Sequence, residues 1–223
     1  MIGDIHGAHK ALMECFKKAS FDRDQDLLIC LGDVCDGWPE VRKAFDELLT
    51  VRNLVYILGN HDKWALDWFM YHNSSPVWTS QGGNATIASY EGKVPEAHVK
   101  LLSGARLFYR LEDRVFVHGG FNPEIPLEKQ GEHTFLWDRT LVFRAIELHE
   151  DKVKRRITGF DEVYVGHTPT INFGSLEPLR VCEVILMDTG AGWPGGVLTM
   201  MDIDSKEIVQ SSPVDSLYPD YDG

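Results

Sequence analysis

Long apolar segments are missing from this 223-residue sequence. No stretch approaches the roughly 20 consecutive apolar residues that a membrane-spanning helix needs. The first residues also lack the basic start and the apolar run of a secretory signal peptide. Neither a repeat of fixed period nor a low-complexity segment interrupts the chain. We therefore expect a single domain over residues 1–223, a cytoplasmic location and no membrane partner.

Cysteine is scarce, with four residues in the chain and no CxxC pair. This excludes a disulfide framework and gives no support to a thiolate metal site. The sequence also lacks a P-loop. The Cys-x5-Arg motif of phosphatases with a cysteine nucleophile is absent too, because Val41 stands where that arginine would follow Cys35. The chain therefore offers no cysteine nucleophile of that kind.

Basic residues are few, since 22 Lys and Arg face 34 Asp and Glu for a formal net charge of −12. Such an acidic surface repels the phosphate backbone of DNA and RNA, so we expect no nucleic-acid partner. Some of the carboxylates can be metal ligands, and a bound cation would then offset their charge. The net charge alone decides little about small phosphorylated substrates, so a small phosphoester stays open as a partner.

Short runs typical of β-strands alternate with amphipathic patterns typical of helices. The predicted strands are Leu27–Leu31, Leu54–Leu58, Val115–Val117, Val163–Val165, Val184–Met187 and Val197–Ile203. The predicted helices are Ala8–Ala19, Pro39–Leu49, Lys63–Met70 and Leu141–Glu150. Residues 71–112 carry little strand signal and are predicted to form an inserted cap, and residues 212–223 to form an irregular tail. The order of elements indicates an α/β fold.

Five short motifs place side chains that can bind a metal beside a glycine, and four of them directly follow a predicted strand. They are GDIHG with Asp4 and His6, GDVCDG with Asp33, GNHD with Asn60 and His61, HGG with His118, and GHT with His167. Each motif alone is typical of a turn or of a hydrogen-bonded core histidine. Together they indicate convergence, because strands of an open α/β sheet present their carboxyl ends to one crevice.

The set of side chains combines carboxylate, imidazole and amide oxygen. This mixture suits Mn²⁺, Fe or Zn²⁺ better than metals that prefer only thiolate or only oxygen. Two such cations about 3.5–4 Å apart can clamp the attacking and the leaving oxygen of a phosphoryl displacement. A carboxylate could bridge the two ions, and Asp33 is the natural candidate. The residues therefore predict two divalent cations, with Mn²⁺ preferred.

In this order the motifs resemble the signature of the calcineurin-like metallophosphoesterases, and most closely that of bacterial and bacteriophage serine/threonine phosphoprotein phosphatases. The resemblance runs from Gly3 to at least Gly192. WTSQGGNAT at Trp78–Thr86 and DTGAG at Asp188–Gly192 are similar to secondary motifs of that branch. The resemblance implies two mixed β-sheets packed as a sandwich and flanked by helices. It also implies metal-dependent hydrolysis of phosphomonoesters, with a phosphoprotein as substrate.

The resemblance further implies roles for individual residues. One metal would be held by Asp4, His6 and Asp33, and the second by Asp33, Asn60, His118 and His167. His61 would be the general acid for the leaving alkoxide and Asp36 the carboxylate that orients it, a pairing that favours the imidazolium form. Arg139 would grip the phosphate with its forked guanidinium, although an ordinary surface arginine at a helix start is an equal interpretation.

Two positions depart from the protein phosphatase pattern. The usual GDxxDRG has an arginine where this chain has Gly37, so half of the expected guanidinium clamp is missing. GNHD in place of GNHE also occurs in symmetrical dinucleoside tetraphosphate hydrolases, which usually lack the carboxylate found here as Asp36. Such a hydrolase is therefore one alternative function, and a metal-dependent binding module without turnover is another.

Aromatic residues and histidines outside the motifs receive structural interpretations. Trp38, Trp64, Trp68 and Trp78 could form an aromatic wall near the motif loops, but core packing is preferred. The other histidines, which have no partner at a useful spacing and are expected on the surface or on helices, are His9, His72, His98, His133 and His149.

Overall fold

The computed structural model of the chain describes residues 1–151 and 156–221. Its strands are β1 Leu27–Cys30, β2 Asn53–Tyr56, β3 Phe108–Leu111, β4 Arg114–Val117, β5 Glu162–Val165, β6 Leu179–Val181, β7 Val184–Leu186, β8 Thr199–Met201 and β9 Ile208–Gln210. Its helices are α1 His9–Lys18, α2 Val41–Leu48, α3 Asn60–Tyr71, α4 Pro76–Trp78, α5 Asn84–Tyr90, α6 Glu96–Ser103, α7 Glu132–Trp137, α8 Thr140–Glu150 and α9 Val214–Leu217. None of these helices is both long and apolar enough to cross a bilayer.

The early helices form where apolar side chains recur at helical spacing, and the apolar face of each turns to the core. The buried residues are Ala11, Leu12, Cys15 and Phe16 in α1, and Val41, Ala44, Phe45 and Leu48 in α2. By contrast, α3 begins inside the GNHD motif, so its first turn carries Asn60 and His61. The start of α3 therefore places two of the predicted site residues.

The strands form two mixed sheets. The larger sheet has the order β3-β4-β5-β7-β6, with β4, β5 and β7 parallel and both edge strands antiparallel to their neighbours. The smaller sheet contains the parallel pair β1 and β2 and the antiparallel pair β8 and β9. Ile2 joins the two pairs, because it bridges Cys30 in parallel and Met200 in antiparallel fashion. One residue thus takes the place of a first strand.

The two sheets pack face to face across an apolar layer. Its buried members come from both sheets and are Met1, Ile29, Leu31, Ile57, Phe116, Tyr164, Ile185, Met187 and Met201. Phe116 and Tyr164 stack within this layer, with ring centroids 4.9 Å apart. The prediction of an α/β sandwich of two mixed sheets is confirmed. The five predicted motifs follow the carboxyl ends of Ile2, β1, β2, β4 and β5.

The differences from the prediction concentrate in residues 71–112 and near the end of the chain. Residues 76–103 are mainly helical, in α4, a π-helical turn at Thr79–Gly83, α5 and α6. The predicted cap cannot extend to residue 112, because β3 is an edge strand of the larger sheet. The predicted tail is not wholly irregular, since it contains α9, and residues 222 and 223 lie outside the described residues. The prediction also misses β6 and β9, which have three residues each.

Candidate active site

The first group of ligand-type side chains comprises Asp4, His6 and Asp33. One ligand atom from each lies within 4.8 Å of the others. His6 Nδ1 faces the carbonyl oxygen of Cys35 at 3.2 Å, and His6 Nε2 lies 4.0 Å from Asp33 Oδ2. With the ring hydrogen on Nδ1, the imidazole presents a lone pair at Nε2, as metal binding requires. This group could hold one metal ion.

The second group shares Asp33 with the first and adds His118 and His167, again with ligand atoms within 4.8 Å of one another. His118 Nδ1 faces the carbonyl oxygen of Leu31 at 2.8 Å. Its Nε2 lies 3.3 Å from Asp33 Oδ2 and 2.9 Å from Asn60 Oδ1. The strand ends of both sheets thus contribute to one centre, with Asp33 common to both groups.

Two buried atoms at this centre, Asp4 Oδ1 and His167 Nε2, have no hydrogen-bond partner in the described part of the chain. Leaving a buried polar atom unpaired costs on the order of 1–3 kcal/mol, so each calls for an explanation. Burial and then the charge of Asp188 also raise the pKa of Asp4. A cation at the centre would pair with both lone pairs and relieve the repulsion between carboxylates. The donor set therefore fits bound divalent cations.

Burial and mutual charge set the protonation of the centre. Burial alone would raise the pKa of Asp33, but the imidazoles of His118 and His61 hold it well below its usual range. Burial and then His61 lower the pKa of His6 to about 4. Burial and then His118 hold the pKa of His167 far below its usual range. Carboxylate anions and neutral imidazoles are the forms that bind metals.

Four site residues have left-handed backbone, with φ of 48° at His6, 48° at Asp33, 72° at Asp36 and 60° at His167. Residues other than glycine seldom adopt this conformation, which costs about 1–3 kcal/mol each. Surrounding contacts hold it in place; for example, the N–H of His6 donates to the carbonyl oxygen of Asp33 at 2.8 Å. Backbone strain concentrated in this way is typical of functional sites.

Two glycines of the motifs are needed because a carboxylate from another loop lies against their Cα atoms. A Cβ at Gly59 would overlap the Asp33 carboxylate, and a Cβ at Gly166 would overlap the Asp4 carboxylate. Each glycine precedes a residue of the site in its own motif, GNHD or GHT. The absence of a side chain therefore leaves room for a carboxylate that arrives from a different loop.

Asp62 fastens the GDVCDG loop to the GNHD loop. Its Oδ1 accepts hydrogen bonds from the N–H groups of Val34 at 2.9 Å and Cys35 at 3.1 Å. Its Oδ2 accepts from the Tyr56 hydroxyl at 2.9 Å and the Gly59 N–H at 3.2 Å. The sequence interpretation quoted this aspartate within GNHD without giving it a role. Its local signal, an aspartate in the first turn of a helix, does not reveal a bond to another loop.

His61 lies beside the two ligand groups. Its Nδ1 donates to Asp36 Oδ2 at 2.6 Å, and its ring meets the ring of His6 edge-on at a centroid distance of 5.0 Å. Burial opposes protonation, but the carboxylates of Asp33 and Asp36 raise the pKa of His61 to about 9. An imidazolium is therefore available at neutral pH, next to the centre that could hold metals.

The carboxylate of Asp36 also accepts hydrogen bonds from two residues that are distant in sequence. Trp78 Nε1 donates to Asp36 Oδ2 at 2.8 Å, and Thr86 Oγ1 donates to Asp36 Oδ1 at 2.6 Å. Both partners belong to the WTSQGGNAT stretch, which the sequence analysis noted without assigning a role to either residue. No local pattern could reveal contacts that span 42 and 50 residues.

A cleft of about 1060 Å³ opens over the centre. Arg139 is the one arginine or lysine among its described lining residues. The guanidinium is half-buried and donates from Nη2 to the carbonyl oxygen of His167 at 3.0 Å, so Arg139 is not an ordinary surface arginine. Trp64, Trp137 and Trp193 add an aromatic part to the lining. The cleft thus combines the candidate metal centre, one guanidinium and an aromatic surface.

All nine predicted site residues gather here. Seven of them line the cleft, namely Asp4, His6, Asp33, Asn60, His61, Arg139 and His167. The other two lie directly behind, since Asp36 contacts His61 and His118 contacts Asp33.

Gly37, which replaces the arginine of the usual motif, has its own structural requirement. Its φ is 79°, and a Cβ there would lie 3.1 Å from the carbonyl oxygen and 3.2 Å from the Cβ of His6. A larger residue would be strained in conformation and crowded against a candidate ligand.

The residues outside the motifs divide between core and cleft. Trp38 donates from Nε1 to the carbonyl oxygen of Ala191 at 2.7 Å and Trp68 is buried, so core packing accounts for these two. Trp78 is also buried, but its indole donates to Asp36. Of the four tryptophans discussed, Trp64 has the most open position in the cleft lining. His98, one of the histidines expected on the surface or on helices, lies in α6 and is buried, with Nδ1 2.8 Å from the Tyr90 hydroxyl and Nε2 2.9 Å from Asp46 Oδ1.

Comparisons with known proteins agree with this geometry. The family model described as Calcineurin-like phosphoesterase matches residues 1–191. Serine/threonine-protein phosphatase 1 of Salmonella typhimurium strain LT2 is 29% identical over 214 residues, covering 91% of this chain and 90% of that protein. An asymmetrical bis(5'-nucleosyl)-tetraphosphatase, PrpE, of Bacillus cereus strain Q1 is 26% identical over 237 residues, covering 94% of this chain and 92% of that protein.

Solved structures show the same fold. The crystal structure of a candidate diadenosine tetraphosphatase superposes with a TM-score of 0.70 at 18% identity, covering 100% of this chain and 93% of that one. A metallophosphoesterase from Sphaerobacter thermophilus superposes with a TM-score of 0.56 at 17% identity, covering 95% of this chain and 86% of that one. At sequence identities this low, the superpositions show only that the fold is shared.

Proposed function

Since the chain belongs to the calcineurin-like phosphoesterase family and is a metal-dependent phosphoric ester hydrolase, we propose that it hydrolyses phosphomonoesters and acts on phosphoserine or phosphothreonine in proteins. One observation carries the proposal. Two groups of ligand side chains share Asp33, and the hydrogen-bonded pair of His61 and Asp36 stands beside them. A place for the phosphoryl group therefore adjoins a proton donor, which is what ester cleavage with a basic leaving group needs.

The metal ligands follow from the two groups. Asp4, His6 and Asp33 would hold one ion, and Asp33, Asn60, His118 and His167 would hold the other. We propose Mn²⁺ as the native metal, with Fe or Zn²⁺ as alternatives, because the ligands mix carboxylate, imidazole and amide oxygen. Two bound divalent cations supply Lewis acidity toward the phosphoryl oxygens and lower the pKa of the attacking water. The protein supplies orientation, since main-chain carbonyls fix the rings of His6 and His118.

His61 would protonate the leaving group. As a bond forms between the water oxygen and phosphorus, the bond from phosphorus to the alcohol oxygen breaks, and the alcohol leaves with the proton of His61. The proton lost by the attacking water balances the one that His61 gives up. Asp36, whose Oδ2 lies 2.6 Å from Nδ1, orients the ring and stabilises its charge. General acid catalysis of this kind typically contributes about 10²–10⁴-fold in rate.

Arg139 would bind the phosphoryl oxygens that face away from the ligand groups. Its Nη2 donates to the carbonyl oxygen of His167 at 3.0 Å and lies 3.5 Å from His167 Nδ1, which leaves the other guanidinium N–H donors for a ligand. Since no second arginine or lysine appears among the described lining residues, one phosphoryl group is the best match for this cleft. Loss of this guanidinium should therefore raise KM more than it lowers kcat.

A second candidate function is hydrolysis of a dinucleoside tetraphosphate. The relative from Bacillus cereus bears that name, and Trp64, Trp137 and Trp193 offer surfaces on which a nucleobase could stack. Against it stands the fact that Arg139 is the one arginine or lysine among the described lining residues, because a tetraphosphate carries several negative charges to be matched. The presence of Asp36 beside His61 also favours a phosphomonoesterase.

The test compares substrates on one preparation. The purified protein is stripped with a chelator, Mn²⁺ is added back, and phosphate release from a phosphoserine peptide is compared with nucleotide release from diadenosine tetraphosphate. We expect kcat/KM for the peptide to exceed that for the dinucleotide at least about tenfold, and both reactions to stop without metal. The reverse order would favour the second candidate. No metal-dependent turnover of either substrate, or of p-nitrophenyl phosphate, would identify a binding module.

A further inference from the structure

The stretch Trp78–Thr86, here named the clamp segment, donates hydrogen bonds to both carboxylate oxygens of Asp36, and one of them, Oδ2, also accepts from His61. The indole of Trp78 donates to Oδ2 at 2.8 Å and the hydroxyl of Thr86 donates to Oδ1 at 2.6 Å. The same hydroxyl oxygen accepts the N–H of Asp36 at 2.9 Å. Thr86 and Asp36 are fully buried and Trp78 is 1% exposed, so water cannot replace these bonds.

Two glycines bring the clamp segment this close. The chain turns at Gly82 with φ of 95°, and the carbonyl oxygen of Gly82 accepts the N–H of Gly37 at 3.3 Å. A Cβ at Gly83 would lie 2.6 Å from the indole of Trp78. The turn separates α4 from α5, so that Trp78 and Thr86 both reach one carboxylate from opposite ends of the segment. The pattern W-x3-G-G-x2-T therefore has a physical account centred on Asp36.

We propose that Trp78 and Thr86 are positioning residues for the general acid: they hold Asp36, and through it His61, in the orientation that delivers a proton to the leaving group. The inference rests on the proposed function, because it takes His61 to be the acid. A carboxylate bonded on both oxygens cannot rotate without breaking at least one bond. The acceptor for His61 Nδ1 is thus fixed in place, and the imidazole is fixed with it. Neither Trp78 nor Thr86 lines the cleft, so both act through Asp36.

Two variants, each of which removes one hydrogen-bond donor to Asp36, test the inference. Trp78→Phe removes the indole N–H and keeps an aromatic ring, and Thr86→Val removes the hydroxyl and keeps the branched shape. We expect kcat for a phosphoserine peptide to fall about tenfold to a hundredfold, within the contribution of a general acid. Hydrolysis of p-nitrophenyl phosphate should fall by less than about threefold, since its leaving group hardly needs a proton. KM and Mn²⁺ content should stay unchanged.

A second readout does not depend on activity. In protein loaded with diamagnetic Zn²⁺, the Nδ1 proton of His61, held in a 2.6 Å hydrogen bond, should give a downfield proton NMR signal that disappears in His61→Asn. In Trp78→Phe and Thr86→Val this signal should move upfield or broaden through exchange with water. An unchanged signal in both folded variants would overturn the inference, whatever the activity of the preparation.

Controls separate positioning from folding. Ser89 lies on the same helix as Thr86 and its hydroxyl accepts a hydrogen bond from the N–H of Arg42 at 2.9 Å, remote from Asp36. Ser89→Ala should leave kcat and the NMR signal unchanged, and Thr86→Ser should restore most of both. Equal losses on both substrates would contradict the inference. If the wild-type protein hydrolysed neither substrate, the proposed function would be wrong. The NMR comparison would still show whether Trp78 and Thr86 hold Asp36 and His61 in place. If Trp78→Phe does not fold, Thr86→Val decides.

Discussion

Replacement of His61 by asparagine separates acid catalysis from metal binding. In the proposed scheme His61 protonates the leaving alcohol and is not a ligand in either group. Asparagine carries no titratable proton at neutral pH but can still fill the space beside Asp36. The variant should therefore lose the proton donor and keep the metal centre.

The expected magnitudes differ for catalysis and for folding. For a phosphoserine peptide kcat should fall about 10²–10⁴-fold, equivalent to roughly 2.7–5.5 kcal/mol of transition-state stabilisation. The folded state loses one of the three side-chain hydrogen bonds of Asp36, and those from Trp78 and Thr86 remain. The free energy of unfolding should thus fall by no more than about 1–3 kcal/mol. The variant should be folded at the assay temperature.

The assay is steady-state kinetics on two substrates, with bound Mn²⁺ measured in parallel. p-Nitrophenolate is a good leaving group, so its release should suffer far less than that of the serine alkoxide. A matched control is His72→Asn, at the end of α3, where an exposed histidine with φ of 53° can be replaced by asparagine without strain. Equal losses on both substrates together with lost metal would show that His61 is a ligand or a structural residue.

Three further predictions concern the loops and the stability of the fold. Gly37→Arg should lower the melting temperature by several degrees, because a φ of 79° is strained for any residue other than glycine. The same variant should change KM more than kcat, and unchanged stability and KM would refute this prediction. Gly59→Ala should remove most bound Mn²⁺, measured by metal analysis, because its Cβ would overlap the Asp33 carboxylate, and full metal content would contradict the packing argument. Burial lowers the pKa of His98, and the charge of Arg42 lowers it further. The Asp46 carboxylate, 2.9 Å from His98 Nε2, acts in the opposite direction but does not outweigh burial, and the Tyr90 hydroxyl contacts Nδ1. Because the unfolded chain then binds the proton more readily, the free energy of unfolding should fall as pH drops below about 6.5, and less so in His98→Gln. Equal pH dependence of urea unfolding in both proteins would refute this assignment.

The sequence predicts the residues of the candidate site better than it predicts the structure around them. Asp33, Asn60 and His167 follow apolar strands and stand beside glycines, so each ligand-type residue carries its own local signal. Convergence then follows from strands that end at one edge of a sheet. The residues that hold the site together lack such signals. Trp78 and Thr86 reach Asp36 only because the chain folds back over more than 40 residues.

The missed elements have physical reasons of their own. β6 and β9 are three-residue strands with partly exposed positions, too short to show an alternating pattern. Ile2 replaces a first strand through two single bridges, which no sequence window could register. The helices between residues 76 and 103 are short and rich in polar residues, and Gly82, Gly83 and Gly92 lie between them, so no long helical periodicity can be seen. Tertiary contacts with α2 and α3 stabilise these segments instead.

The central claim is that two metal ions share Asp33. Metal analysis combined with titration calorimetry of chelator-stripped protein tests it most directly, with wild type compared to Asp33→Asn and Asp4→Asn. The account predicts two Mn²⁺ ions per chain in wild type, weakened binding of both ions in Asp33→Asn, and weakened binding mainly of one ion in Asp4→Asn. A single ion or none in wild type, or equal loss of both ions in the two variants, would contradict it.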